Sequence, residues 1–346
     1  MVYLRALTST ARMIRHTSRL AAGLVPDDHV VLDAPGEQLA PVLSAAGLGD
    51  HRPAAALLAA TREGCEWENR DRFATALARF AQSRSRWLDQ WLSAAPYDPD
   101  ALLLRAAVAV RGALRRTARE EPLRAAGPLV REAAEAAPHD PVPWRVALDR
   151  LRGLRASAAD FTDCWEEATR RSPHHHGCHT AALRHLTARC GAGHRSGGTG
   201  AWPPEADPCL RFAERAASDA LPGSLLRSLP AQAVLDHPGP LPGSRLDAAA
   251  DLAIEMSDRY PAGDPWPAQA RNVLVHLLIV RGRWEEALRQ FRLIGPHATA
   301  FPWNTVSDDP LGQFLEMRDG TRIQVASTMP LWRRTQRTAR PATRGR

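Results

Sequence analysis

Lysine is absent from this chain: all 45 basic residues are arginine. That excludes a Schiff-base lysine, a catalytic lysine and the phosphate-binding lysine of a P-loop. Aromatic residues make up only 6% of the sequence. Val, Ile, Phe and Tyr are thin, which argues against an extensive sheet. No apolar run approaches the ~18 residues of a membrane-crossing helix. The first residues have no uninterrupted apolar core, because Arg12, Arg15 and Arg19 fall where a signal peptide would carry one. The cysteines number five (Cys65, Cys164, Cys178, Cys190 and Cys209), too irregular a set for a disulfide framework. These absences together give the expectation of a cytoplasmic protein.

What is present is Ala, Leu and Arg in abundance, all good helix formers. The formal charge is +7, and the surplus gathers at the ends. Residues 1–27 are expected to form a basic amphipathic helix, centred on 2–21. Arg5, Arg12, Arg15 and Arg19 lie on one stripe, opposite Val2, Tyr3, Leu7, Met13, Ile14 and Leu20. Such a helix can pack on the rest of the chain, or make peripheral contact with an anionic membrane. Residues 321–346 hold Arg322 and six further arginines with no acid, and are expected to be a disordered tail.

Between the ends, apolar residues recur at helical spacing over Gln38–Ala46, Arg52–Glu63, 67–81 and 84–95. Punctuation then repeats. Ala95-Pro96-Tyr97-Asp98-Pro99 precedes a helix over Asp100–Arg115, and Ala137-Pro138-His139-Asp140-Pro141 precedes one over Val142–Leu154. Arg171-Ser172-Pro173 precedes one over His174–Arg189. The clearest hairpin lies at 272–291: an apolar helix Asn272–Val280, a turn at Gly282-Arg283, then Trp284, Ala287 and Phe291 along a second helix. These residues resemble the tetratricopeptide pattern of turn glycine, aromatic, small and aromatic. The predicted fold is therefore all-α, a right-handed α-solenoid of five to seven degenerate tetratricopeptide-like hairpins over 28–320. Gly- and Pro-rich stretches at 191–209 and 236–245 are expected as projecting loops.

The run from Trp91 to Ala213 also resembles actinobacterial proteins that carry domain of unknown function 4034. The resemblance is carried by Trp91-Leu92, Asp98–Ala106, Asp140-Pro141-Val142-Pro143-Trp144, Arg171–His175 and His179. It implies a helical fold and no particular reaction.

Three functions are compatible with these features. The first is a non-catalytic scaffold that binds a peptide or protein on the concave face of the array. Its groove is assigned to Arg105, Trp144, Arg145, Arg184, Asn272 and His276, which suit an acidic or C-terminal peptide. The second is a metal-dependent enzyme using the His and Cys cluster at 164–209. If Pro173 opens the helix, His174 faces Cys178 and His175 faces His179, one turn apart, as zinc ligands are on a helix. Cys190 does not join them, being eleven residues beyond His179 and therefore about 16 Å along a helix. The third is a nucleic-acid accessory protein working through its Arg-rich ends. No nucleophile elbow, glycine-rich dinucleotide turn or His-Glu-x-x-His motif is present, so the balance leans towards a non-enzyme without cofactor, with zinc as the alternative.

Overall fold

The computed structural model describes residues 21–195, 207–237 and 239–328. Almost all of them are helical, and among them no helix is long and apolar enough to cross a membrane. The chain divides into two compact units: Pro35–Pro242, and Gly243–Arg346 together with Met1–Ala34.

The unit 35–242 contains α1 (Leu39–Gly47), α2 (Arg52–Glu63), α3 (Trp67–Ala81), α4 (Arg86–Ala94), α5 (Pro99–Leu114) and α6 (Glu120–Ala125). It continues with α7 (Gly127–Ala136), α8 (Val142–Leu154), α9 (Ala158–Arg171), α10 (His176–Arg195), α11 (Pro208–Asp219) and α12 (Leu229–Leu235). Helices α3, α5, α8 and α10 pack on one another in succession, and α2, α4, α7 and α9 flank them. Small residues permit the close approach: Ala54, Ala74, Ala101, Ala106, Ala133 and Ala168 are all fully buried. Gly153 is obligatory for the same reason, since a Cβ there would stand 2.5 Å from Leu114 and 2.6 Å from Leu123.

Asp-Pro is the helix-starting device throughout. The chain has five such dipeptides, and in each the aspartate accepts from a backbone N–H two or three residues on. Asp98 takes Asp100 and Ala101, Asp140 takes Val142, Asp207 takes Cys209 and Leu210, Asp264 takes Trp266, and Asp309 takes Gly312. The carboxylate satisfies amides that have no partner within the helix, and proline, which lacks one, fits the first turn.

Arg70 of α3 ties these starts together. Its fully buried guanidinium lies 2.6 Å from Asp100 and 2.6 Å from Asp140, and its Nη1 donates to the Leu58 carbonyl at 2.8 Å. Arg62 reaches Asp100 from the partly exposed side at 3.3 Å. One side chain thus joins α2, α3, α5 and the cap of α8.

The second unit holds α13 (Gly243–Ser257), α14 (Ala268–Val280), α15 (Trp284–Ile294), α16 (Ala300–Trp303) and α17 (Pro310–Thr328). The hairpin expected at 272–291 is present as α14 and α15, with Gly282 at φ +68° in the turn and Ala287 and Phe291 buried. Val31–Leu32 (β1) pairs in parallel with His297–Ala298 (β2), an element the helical reading did not foresee. Arg271 is the buried anchor of this unit. All five of its N–H groups are used: on Ser257 Oγ and on the carbonyls of Ser257, Tyr260, Pro261 and Leu293, at 2.8–3.0 Å. Helix α17 runs to Thr328 with Thr321 and Val325 buried, so helix occupies the first part of the segment expected as a tail from 321. Residues 1–20 and 329–346 lie outside the described residues, and with them most of the basic N-terminal helix and the basic tail. So do 196–206, most of one expected loop.

Removing one partner of a buried ion pair leaves the other charge uncompensated, at a cost of about 3–5 kcal/mol. We therefore expect Asp140→Asn to lower the urea midpoint by that order, while Asp50→Asn, in the exposed pair with Arg52, leaves it unchanged. Equal midpoints for the two variants would contradict the anchoring role of Arg70.

Candidate functional site

The His and Cys cluster folds differently from its expected geometry. Ser172 is extended (φ −151°, ψ 96°), residues 173–174 turn, and α10 begins at His176, three residues later than Pro173. His175 therefore caps the helix: its Nδ1 accepts from the Cys178 N–H at 3.2 Å. That fixes the proton on Nε2, which donates to the Trp67 carbonyl at 3.3 Å. His175 lies 3.1 Å from the Cys178 sulfur, and His179 Nδ1 donates to the His175 carbonyl at 3.0 Å. The expected pairings of His174 with Cys178 and of His175 with His179 are thus replaced, because the register shifted with the helix start.

Carboxylates attend this helix start. Glu68 accepts from the His176 N–H at 2.7 Å, and Asp71 approaches so closely that a Cβ on Gly177 would meet it at 2.0 Å. Negative charge at a helix N-terminus is favourable. Among the described residues no group of three His, Cys, Asp or Glu side chains could hold a metal ion; the side chains of Cys190 and His194 lie outside them. The buried thiols are kept protonated: burial raises Cys178 well above its usual range and Cys164 to about 12. Burial, with His175 and His179 alongside, pushes His176 down to about 4. Burial likewise lowers His179 and brings His185, stacked 3.7 Å from Phe161, to about 4.

The six residues assigned to a groove do not come together. Arg105 pairs with Glu132, Trp144 lies under the Arg171 guanidinium at 4.6 Å, and Arg145 is held by Asp71, Asp149 and Thr75. Arg184 is exposed on α10. Asn272 and His276 belong to the other unit. Asn272 is fully buried, its oxygen accepting from Trp303 Nε1 at 2.8 Å, and His276 stacks on the same indole. Asn272 is therefore a core residue. Helix α14 is apolar nearly all round, with Val273, Leu274, Val275, Leu277 and Leu278 buried, and offers no polar face to place it on.

The surface feature that sequence reasoning missed is an open cleft of about 990 Å³ between the α1–α2 turn and the α3–α4 turn. Leu48 stands at its mouth, 91% exposed. Arg84 and Arg86 line it, neither with a carboxylate partner, whereas Arg52 is held by Asp50 at 2.9 Å. His51 stacks on Trp91 at 5.7 Å. A signal existed in the sequence: no acid lies between Asp71 and Asp89, a stretch holding four arginines.

Compared with models of protein families, with curated proteins and with solved structures, the chain matches none.

Five histidines have their protonated form disfavoured by burial: His176, His179, His185, His276 and His297. The unfolded chain binds more protons at these sites below about pH 6.5, so stability is full above that value and falls as pH drops towards about 4. Glu68 and Asp140, raised by burial, pull the other way only nearer their own lower range. We expect the melting temperature to decline steadily from pH 7.5 to pH 5; a flat profile would contradict neutral buried imidazoles.

Proposed function

We propose that this chain is a non-catalytic interaction protein, a right-handed solenoid of tetratricopeptide-like hairpins that binds an acidic segment of a protein partner. The resemblance to proteins with domain of unknown function 4034 belongs to the same reading. It is supported by the succession of α3, α5, α8 and α10, each packed on the next, and by the commitment of the buried histidines and thiols to capping and packing rather than to a reactive arrangement.

The observation that carries the proposal is the Leu48 cleft. A large apolar side chain almost wholly in water, beside two guanidiniums with no carboxylate, is complementary to a segment that brings both an apolar residue and carboxylates. Arginine suits that role because its planar fork pairs with a carboxylate through two parallel hydrogen bonds. Trp87 adds a donor at the cleft wall: its indole Nε1 is buried without a partner. The occupant is an extended acidic peptide, and the binding surface is this corner rather than the six residues dispersed over two units.

A fluorescein-labelled peptide of four glutamates flanking one leucine is the probe. Fluorescence anisotropy is expected to show binding that weakens as salt rises. The double substitution Arg84→Glu, Arg86→Glu should weaken it by about tenfold or more, equivalent to about 1.4 kcal/mol. Leu48→Glu should weaken it too, and Arg211→Glu, on the exposed face of α11, should not. Binding that persists unchanged in the double variant would overturn the proposal.

A further inference from the structure

A second polar surface lies beside the cleft, on the face that α3, α5 and α8 share. Along α3, Asp71, Thr75, Arg79 and Gln82 are spaced four, four and three residues apart and so stand on one stripe. Arg145 of α8 donates to Asp71 at 2.8 Å and to Thr75 at 2.9 Å. At the other end of the stripe Arg115 of α5 donates to the Gln82 oxygen at 3.3 Å. Arg111, one turn before Arg115, falls between these two contacts.

Arg111 is half-buried and has neither a carboxylate nor any hydrogen-bond partner, and its Nε is shut away from solvent. Its charged neighbours are Arg79, Arg115 and Arg145, with Asp149 the one acid among them. Asp149 is already engaged by Arg145 and Arg152. Burial and the like charges accordingly push the Arg111 guanidinium down from its ordinary value. Arg115 has no carboxylate either. Gln82 Nε2 is also buried without a partner. Next to Arg115 opens a depression of about 630 Å³, floored by Val108, Ala109 and Leu129 and rimmed by Gln82 and Arg115. Clefts of this size hold small molecules.

A half-buried cation among like charges is a cost to the folded state that an incoming anion removes. Two guanidiniums without counter-charge match one doubly charged group better than a single carboxylate, which would leave one of them unmatched. Guanidinium forks bind phosphate oxygens in pairs, and a phosphate monoester approaches two negative charges at neutral pH. We infer that this depression binds a small phosphate monoester, its phosphate on Arg111 and Arg115 and its apolar body on Val108, Ala109 and Leu129. The site is separate from the Leu48 cleft and does not depend on the partner-binding reading.

Isothermal titration of the full chain with phenyl phosphate, inorganic phosphate and phenol tests the assignment. Phenyl phosphate is expected to bind with a Kd below about 1 mM, about tenfold tighter than inorganic phosphate, with phenol silent. Arg115→Gln and Arg111→Gln should each weaken phenyl phosphate about tenfold. Ala109→Trp, which fills the depression, should abolish the advantage of phenyl phosphate over inorganic phosphate. Arg111→Gln should also raise the melting temperature of the unliganded protein, because it removes a like charge that has no partner. Equal affinity for phenyl and inorganic phosphate would overturn the apolar subsite, and unaltered affinity in Arg115→Gln would overturn the anion site. A lower melting temperature in Arg111→Gln with affinity retained would make Arg111 a structural residue instead.

Discussion

A buried guanidinium must have every donor occupied or it destabilises the fold around it, and each unit of this protein is organised about one such group. Arg70 meets the requirement with charge, through Asp100 and Asp140. Arg271 meets it with five oxygen acceptors and no carboxylate. Four of those are carbonyls near the ends of α13 and α15, where helices leave acceptors without internal partners. Both solutions depend on a rigid fork with five donors. A lysine has three on a flexible stem and could not span the same partners. The total replacement of lysine by arginine is thus compatible with this architecture in a way the reverse would not be.

The helical architecture was legible in the sequence wherever local chemistry decides it. Asp98-Pro99 and Asp140-Pro141 announce helix starts because a cap needs only the next three residues. The 272–291 hairpin follows from Gly282, which takes the positive φ that its turn requires. Errors arose where distant residues decide. The start of α10 moves to His176 because Glu68 and Trp67, more than a hundred residues earlier, bind the amide and the imidazole that precede it. Asn272 looked like a polar groove residue, yet its partners are Trp303 and His297, which spacing along one helix cannot reveal.

The candidate sites were harder to read for a related reason. Arginine is used in this chain both as glue and as surface charge, so its identity at a position says little. Arg145 and Arg84 look alike in sequence, but one has two aspartates and a threonine around it and the other has none. What separates them is the location of the acids. Asp71, Asp100, Asp140 and Asp149 are consumed by Arg62, Arg70, Arg145 and Arg152, and few remain for the surfaces flanking the α3–α4 turn. The unmatched positive charge there follows from how the interior spends its carboxylates.

The parallel pairing of Val31–Leu32 with His297–Ala298 has a bearing on biosynthesis. On a ribosome adding about 5–20 residues per second, the first strand emerges roughly 13–53 s before its partner does. The whole of 35–242 is made in that interval and can fold while the strand waits. Val30, which ends up buried against Val275, Phe291 and Trp303, stays uncovered for the same period. The nascent chain therefore carries an unsatisfied apolar segment near its start until translation is nearly finished, which marks that segment as a contact point for a holding chaperone.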